Sequence, residues 1–327
     1  YRCMKRLFLQ GKNTDNLFLK KMKRDFLTIS ELKREEIHKI FDLARYYKIK
    51  RKTGIFSSLL KNKSIGLLFN KPSTRTRISF EIAIYELGGN PIYLPGETTQ
   101  ISRGETISDT AYVTSRYLQG IVIRTYQQQD IEEFARCFSY PVINALTDLL
   151  HPCQILSDCF TIYEKKGDIE GINVTYIGDG NNICNSLILA ADILGFNIRV
   201  SVPKGFYPNE SIINLMNNSA LLKIDTDPKK FLADADVIYT DTWTSMGEES
   251  ETVKRANIFK DYQVNSQLLA GVKKDFIFMH CLPAHRGVEV TDEVMDSKNS
   301  VILDQAENRL HCQKALLHFL YSYLSVD

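Results

Sequence analysis

The segment Ser73-Thr74-Arg75-Thr76-Arg77 gathers hydroxyl and guanidinium groups along one short stretch. It follows the apolar run Ile65–Phe69 and the turn Asn70-Lys71-Pro72, and it leads into a helical pattern. Backbone N–H groups left unpaired at a helix start, at the positive end of its dipole, form an anion site. The hydroxyls of Ser73, Thr74 and Thr76 add donors, and the Arg75 guanidinium can grip a phosphate through two parallel hydrogen bonds. The plainer reading is a helix cap flanked by solvated arginines. Arg77, two residues on, faces another way on a helix and is the weaker ligand candidate.

Other reactive side chains also fall where apolar runs stop. Arg124 closes the run that begins at Ile121, where a surface ion pair is an equal alternative. In His151-Pro152-Cys153-Gln154 the proline suits a first helical turn, which puts His151 and Gln154 on one face. An imidazole beside a carboxamide can bind the carbonyl oxygen and amide of a small planar group, although a lone histidine is more often structural. Gly178 and Gly180 fit the first two glycines of a dinucleotide fingerprint, but Ile183 stands at the third and no acid ends the next apolar run. Nicotinamide binding is therefore disfavoured, which leaves a turn presenting Asn181 and Asn182.

Asp241 ends another run and is followed by Thr242-Trp243-Thr244-Ser245-Met246-Gly247. A carboxylate for an ammonium and loop N–H groups for a carboxylate suit recognition of an amino acid. The single tryptophan, Trp243, fits a core role at least as well. His280-Cys281-Leu282-Pro283 ends a further run; Cys281 could be a nucleophile, but no base is paired with it by spacing, and a buried thiol is the plainer reading. Arg309 follows the last apolar run, 300–303.

These residues need a frame. A chain of 327 residues exceeds one comfortable core, so two domains are expected. Short apolar runs at 65–69, 91–94, 121–125 and 141–144 alternate with helical patterns near 76–87, 106–118 and 130–138. A second series at 173–178, 197–202, 221–224, 236–240, 275–280 and 300–303 alternates with helices near 182–194, 209–217 and 290–296, ending in a long one over 306–324. Ser30 is placed as the cap of an opening helix, and 151–166 as a helix joining the two series. The expected fold is α/β: two doubly wound parallel-sheet domains with a cleft between them, joined by a bridging helix and a C-terminal helix. The expected boundaries are an extension over 1–24, a first domain over 25–150 and a second over 151–327, the last helix packing back on the first domain.

Composition narrows the function. Lys plus Arg number 41 against 39 Asp plus Glu, a net charge of +2, too balanced to argue for nucleic acid or an acidic membrane surface as partner. No apolar run approaches the roughly 20 residues that span a bilayer. The seven cysteines show no metal-type spacing and suggest reduced thiols in a reducing, cytoplasmic setting. Residues 1–24 are strongly basic, with Asp15 the lone acid; a basic targeting arm is one reading, an unstructured extension ahead of a start at Met22 is the favoured one, and the arm stays outside the functional argument.

Taken together, the S-T-R-T-R, H-P-x-Q, D-x-W-x-S-M-G and H-C-L-P strings, in this order, resemble the ornithine carbamoyltransferases from about Lys23 to the C-terminus. The resemblance implies that Ser73, Thr74, Arg75 and Thr76 hold the phosphate of carbamoyl phosphate, with Arg124 bridging phosphate and carbonyl oxygen. It implies that His151 donates to that oxygen, that Gln154 meets the carbamoyl amino group, and that Cys281, Leu282 and Arg309 complete the pocket. Asn182, Asp241, Ser245 and Met246 would hold ornithine, and Arg124, His151, Asp241 and Cys281 would be the catalytic residues. The family also implies no metal or cofactor, and a homotrimer or assembly of trimers. Asn70 departs from it, since a glutamate often stands there. An acceptor other than ornithine, such as putrescine or acetylornithine, is the alternative.

Overall fold

The computed structural model describes residues 23–244 and 252–324, so residues 1–22 of the basic arm and the expected ligands Ser245 and Met246 lie outside the described residues. Lys23 and Arg24, expected within the unstructured arm, are instead held in place: Lys23 Nζ donates to the Phe138 carbonyl at 2.8 Å, and Arg24 lies 5.1 Å over the Phe319 ring. The chain divides into two compact units. Of the described residues, one unit comprises 23–31, 38–148 and 310–324; the other comprises 32–37, 149–244 and 252–309.

In the first unit, β1 (Ser64–Phe69), β2 (Asn90–Pro95), β3 (Ile121–Arg124) and β4 (Val142–Leu146) form a parallel sheet in the order β2-β1-β3-β4. A helix α1 spans Arg34–Lys52, and its residues from His38 belong to this unit. Parallel neighbours need crossovers, and these are α2 (Thr74–Glu86), α3 (Ile107–Thr114) and α4 (Gln128–Cys137). Every residue of β3 is buried, which explains why the strand reads as an unbroken apolar run rather than an alternation. Its Ile121 and Ile123 pack with Leu68 of β1 and with Ile131, Phe134 and Phe138 from α4 and its end.

The second unit repeats the plan. Strands β5 (Asn173–Ile177), β6 (Asn197–Ser201), β7 (Leu222–Asp225), β8 (Val237–Thr240) and β9 (Ile277–His280) are all parallel, in the order β7-β6-β5-β8-β9. Its helices are α5 (Pro152–Lys166), α6 (Asn182–Leu194) and α7 (Thr252–Phe259). The last helix, α8 (Ile302–Ser322), begins in this unit, and its residues from Leu310 belong to the first.

Each sheet has one place where the winding reverses: between β1 and β3 in the first, and between β5 and β8 in the second. Loops leaving two such neighbours turn to opposite faces and leave a crevice beyond the strands' carboxyl ends. The loops that follow these four strands begin at Asn70, Thr125, Gly178 and Asp241. They include the phosphate-loop and amino-acid-loop candidates.

Some elements differ from expectation. The run 300–303 is not a sixth strand: Ser300 makes one bridge to Phe278, Val301 N–H donates to the Phe278 carbonyl at 3.0 Å, and α8 starts at Ile302. The apolar run is divided between that edge contact and the first helical turn, where Val301 and Ile302 are buried. Ser30 lies in a short 3-10 turn, and the Glu36 carboxylate instead accepts from Lys33 N–H at the start of α1. The helix expected over 209–217 stops at Ile213, because Asp192 captures the N–H groups of Asn217 and Asn218.

Phe278 is fully buried in the second unit's core. Phe278→Ala is expected to lower unfolding stability by about 3–5 kcal/mol in chemical denaturation. Arg286→Ala, which breaks only exposed pairs with Asp292 and Asp296, is expected to leave the denaturation midpoint nearly unchanged.

Candidate active site

In the first unit the candidate anion site is built on the end of β1. Phe69 pairs with Arg124, and Asn70 N–H continues the ladder by donating to the Arg124 carbonyl at 2.8 Å. The Asn70 amide donates to Thr125 Oγ1 at 3.0 Å, while its oxygen fills the space where a Cβ on Gly96 would stand. Asn70, in place of the glutamate common in the resembling family, thus ties the two strand ends together.

Ser73 then caps α2, its hydroxyl accepting from Thr76 N–H at 3.3 Å, which leaves Thr74 exposed at the first turn. Neighbouring cations are already matched. Lys71 is paired with Asp148 and lies 4.3 Å over the Tyr126 ring. Arg77 is paired with Glu81 at 2.9 Å and stacked 3.6 Å over Tyr93, a supporting position rather than a ligand's. Arg75 differs: its Nε is buried and has no hydrogen-bond partner among the described residues. A guanidinium held ready without a carboxylate suits an incoming anion. Arg124 is buried at the end of β3.

The second unit brings together a denser cluster. Asp241, just past β8, accepts from Asn181 Nδ2 on one oxygen at 2.8 Å. Its other oxygen accepts from Thr242 N–H and from the Cys281 thiol, each at 2.8 Å. Burial and the Asp241 carboxylate raise the Cys281 thiol well above the ordinary range, so it stays protonated and donates. That argues against a thiolate nucleophile. Cys153, fully enclosed on α5, is pushed up to about 12 by burial and is inert.

The loop leaving β9 is set by His280. Its Nδ1 accepts from Leu282 N–H at 2.9 Å, and its Nε2 lies 3.2 Å from Glu289 Oε1. This pattern assigns the proton to Nε2. It also supports Leu282 in a left-handed conformation (φ 59°), unusual for a side-chain-bearing residue. One ligand-type atom from each of Asp241, His280 and Cys281 lies within 4.8 Å of the others, but both ring nitrogens of His280 are engaged as described.

His151 opens α5, its backbone N–H donating to Ser186 Oγ at 2.8 Å. That hydroxyl donates to the carbonyl of Asn182, the first residue of α6. His151 and Asn182 are therefore fixed to each other through one serine. Gln154 is buried one turn further along α5, and Arg309 is buried on α8, its charge acting on Cys153 and Cys281.

Several working residues escaped the sequence reading. Asn181 is not presented to ligand: its oxygen caps α6 and its nitrogen holds Asp241, so only Asn182 of that pair remains a candidate. Gly180 serves packing, since a Cβ there would sit 2.3 Å from Pro208 N, whereas Gly178 supplies a positive-φ backbone (146°) that side-chain-bearing residues rarely adopt. Trp243 is buried and stacked on Phe259. Arg255 donates to both Asp179 (2.6 Å) and the Trp243 carbonyl (2.8 Å), joining the loops that leave β5 and β8. No local sequence signal marks Arg255. For Asn181 a signal was present but unused, since an asparagine just ahead of an apolar helix is a common cap.

Residues 24–164 match the carbamoyl-P binding domain of the aspartate/ornithine carbamoyltransferases, and residues 170–320 match their Asp/Orn binding domain. The ornithine carbamoyltransferase of Pyrococcus horikoshii is 49% identical over 302 residues, covering 91% of this chain and 95% of that one. An anabolic ornithine carbamoyltransferase from Pyrococcus furiosus is 50% identical over 299 residues, 90% of this chain and 95% of that one. The solved structure of the Pyrococcus furiosus enzyme superposes with a TM-score of 0.87, covering 90% of this chain and 96% of that chain.

The raised Cys281 thiol makes a chemical prediction. Site-resolved alkylation at pH 8 is expected to be slow at Cys281, and Asp241→Asn, which removes the carboxylate that raises it, is expected to speed it at least about fivefold. Equal rates in the two proteins would show that Asp241 does not control the thiol.

Proposed function

The chain belongs to the aspartate/ornithine carbamoyltransferase family, and we propose that it transfers the carbamoyl group of carbamoyl phosphate to the δ-amine of L-ornithine, giving L-citrulline and phosphate. Ser73, Thr74, Arg75 and Thr76 bind the phosphate, supported by the cap at Ser73 and the unmatched Arg75 Nε. Arg124 spans phosphate and carbonyl oxygen. His151 donates to that oxygen, Gln154 meets the carbamoyl amino group, and Cys281, the Leu282 carbonyl and Arg309 complete the donor's surroundings. Asn182, Asp241, Ser245 and Met246 hold ornithine.

One observation carries the choice of acceptor: Asp241, a carboxylate engaged only by donors, stands at the winding reversal of the second sheet. Such an anion recognises an ammonium group. A lysine-like amine has a pKa near 10.4, so ornithine must lose a proton before attack. The neutral amine nitrogen then bonds to the carbamoyl carbon, giving a tetrahedral adduct with an oxyanion and a positively charged nitrogen; the C–O bond to phosphate breaks with its electron pair going to phosphate, which takes up the proton that the nitrogen gives up. Fixed donors such as Arg75, Arg124 and His151 stabilise the growing charge. Holding both substrates in the reacting geometry supplies the orientation that a chance encounter in water lacks. Asp241 and the protonated Cys281 orient the amine.

The same reading includes a homotrimer or an assembly of trimers, in the cytoplasm. The exposed rings of Tyr85, Tyr112 and Tyr117 on the first unit fit self-association, because tyrosine is enriched in interfaces. Light scattering on the purified protein checks the assembly, where a monomer would overturn it.

Citrulline formation measured with carbamoyl phosphate and a panel of ornithine, putrescine, acetylornithine and aspartate tests the reaction. Ornithine is expected to dominate; equal or better turnover of putrescine would sink the assignment. In the same assay, Arg75→Ala is expected to lower kcat/KM by about 100- to 1,000-fold. Arg77→Ala, removing a group already paired with Glu81, is expected to lower it by less than about tenfold.

A further inference from the structure

Asp158 is fully enclosed in the middle of α5, among Ile155, Leu156, Cys159 and Ile162. An acid on such a face is costly to bury unless its oxygens are satisfied. Three donors converge on it. Gln154 Nε2 and Gln305 Nε2 each donate to Oδ1 at 2.9 Å, and the Tyr239 hydroxyl donates to Oδ2 at 2.7 Å. Burial pushes the carboxyl up to about 6 against these bonds and the charge of Arg309, so at neutral pH it is ionised and acceptor-only.

An acceptor-only partner decides which way a primary amide faces. Each glutamine must turn its nitrogen toward Asp158 and its oxygen away. For Gln305 the result is visible, because its oxygen accepts from His280 N–H at 2.9 Å, at the end of β9 beside Cys281. The Gln154 oxygen has no hydrogen-bond partner among the described residues. It is therefore the end available to a ligand.

We propose that Asp158 is a positioning residue for carbamoyl transfer: it fixes the Gln154 carboxamide with its oxygen outward, so that Gln154 accepts from the carbamoyl –NH2. The proposal rests on the functional reading above and deepens it, because it makes Asp158 the origin of selectivity for a carbamoyl over an acetyl group. Acetyl phosphate has the same shape with a methyl group in place of –NH2 and nothing to donate. Through Gln305 the same carboxylate also steadies the strand end that carries Cys281.

The test measures dissociation constants of carbamoyl phosphate and acetyl phosphate for the wild type and for Asp158→Leu, Asp158→Ser and Asp158→Asn, with citrulline formation alongside. The wild type is expected to prefer carbamoyl phosphate. D158L and D158S are expected to lose about tenfold of that preference, through weaker carbamoyl phosphate binding alone. Unchanged acetyl phosphate binding then shows that each variant is folded. D158N keeps an acceptor oxygen toward both glutamines and can donate to the Tyr239 oxygen, so it is expected to keep the preference. Full preference in D158L and D158S, equal loss toward both phosphates, or a loss in D158N as large as in D158L would each overturn the proposal. A wild type that makes citrulline without preferring carbamoyl phosphate overturns the positioning role alone. A wild type that makes no citrulline overturns the functional reading itself.

Discussion

A parallel strand covered on both faces has no room for a working polar side chain until it ends. Most of the candidate site residues stand where that constraint puts them, at or just past the ends of strands. β3 is buried along its whole length up to Arg124, β8 up to Asp241, and β9 up to the His280-Cys281 step. Helices α2, α4 and α6 begin within a few residues of where β1, β3 and β5 stop, so the unpaired N–H groups of their first turns lie at the carboxyl-end edge of their own sheets. The two sheets use the edge differently. After β1 the loop presents hydroxyls and a guanidinium, while after β8 it presents a carboxylate.

Charge is managed by local matching rather than by a broad field, in keeping with a net charge of only +2. Around the candidate anion loop after β1, Lys71 and Arg77 have carboxylate partners and aromatic faces, and Arg75 Nε does not. Ion pairs and ring contacts thus neutralise the neighbours and leave one guanidinium as the focus for an anion.

In the second unit, buried carboxylates dictate orientation instead. Asp158, Asp241 and Glu289 accept from amide, hydroxyl, thiol, imidazole and backbone donors. Each bond fixes one end of a two-ended group and so decides what its other end offers. Asn181, Gln305 and His280 are all set in this way. Such networks are demanding, because a buried donor or acceptor deprived of its partner costs about 1–3 kcal/mol. In return they hold loops in one arrangement. Arg255 does the same for the loops after β5 and β8, and the close approach of Gly180 to Pro208 does so for the loops after β5 and β6.

The sequence by itself determined the two alternating α/β series, most strand positions to within a residue or two, and the reactive residues at the strand ends. It could do so because buried parallel strands leave unbroken apolar runs, and polar residues stand out where those runs stop. It misplaced 300–303, since an apolar run of that length serves an edge contact and a helical turn equally well. The order β2-β1-β3-β4 and β7-β6-β5-β8-β9 came only from tertiary structure, because pairing between distant strands has no local signature. So did the roles of Asn181, Asp158 and Arg255. Their partners lie 60, 81 and 76 positions away along the chain, and what each does is defined by that partner rather than by its neighbours in sequence.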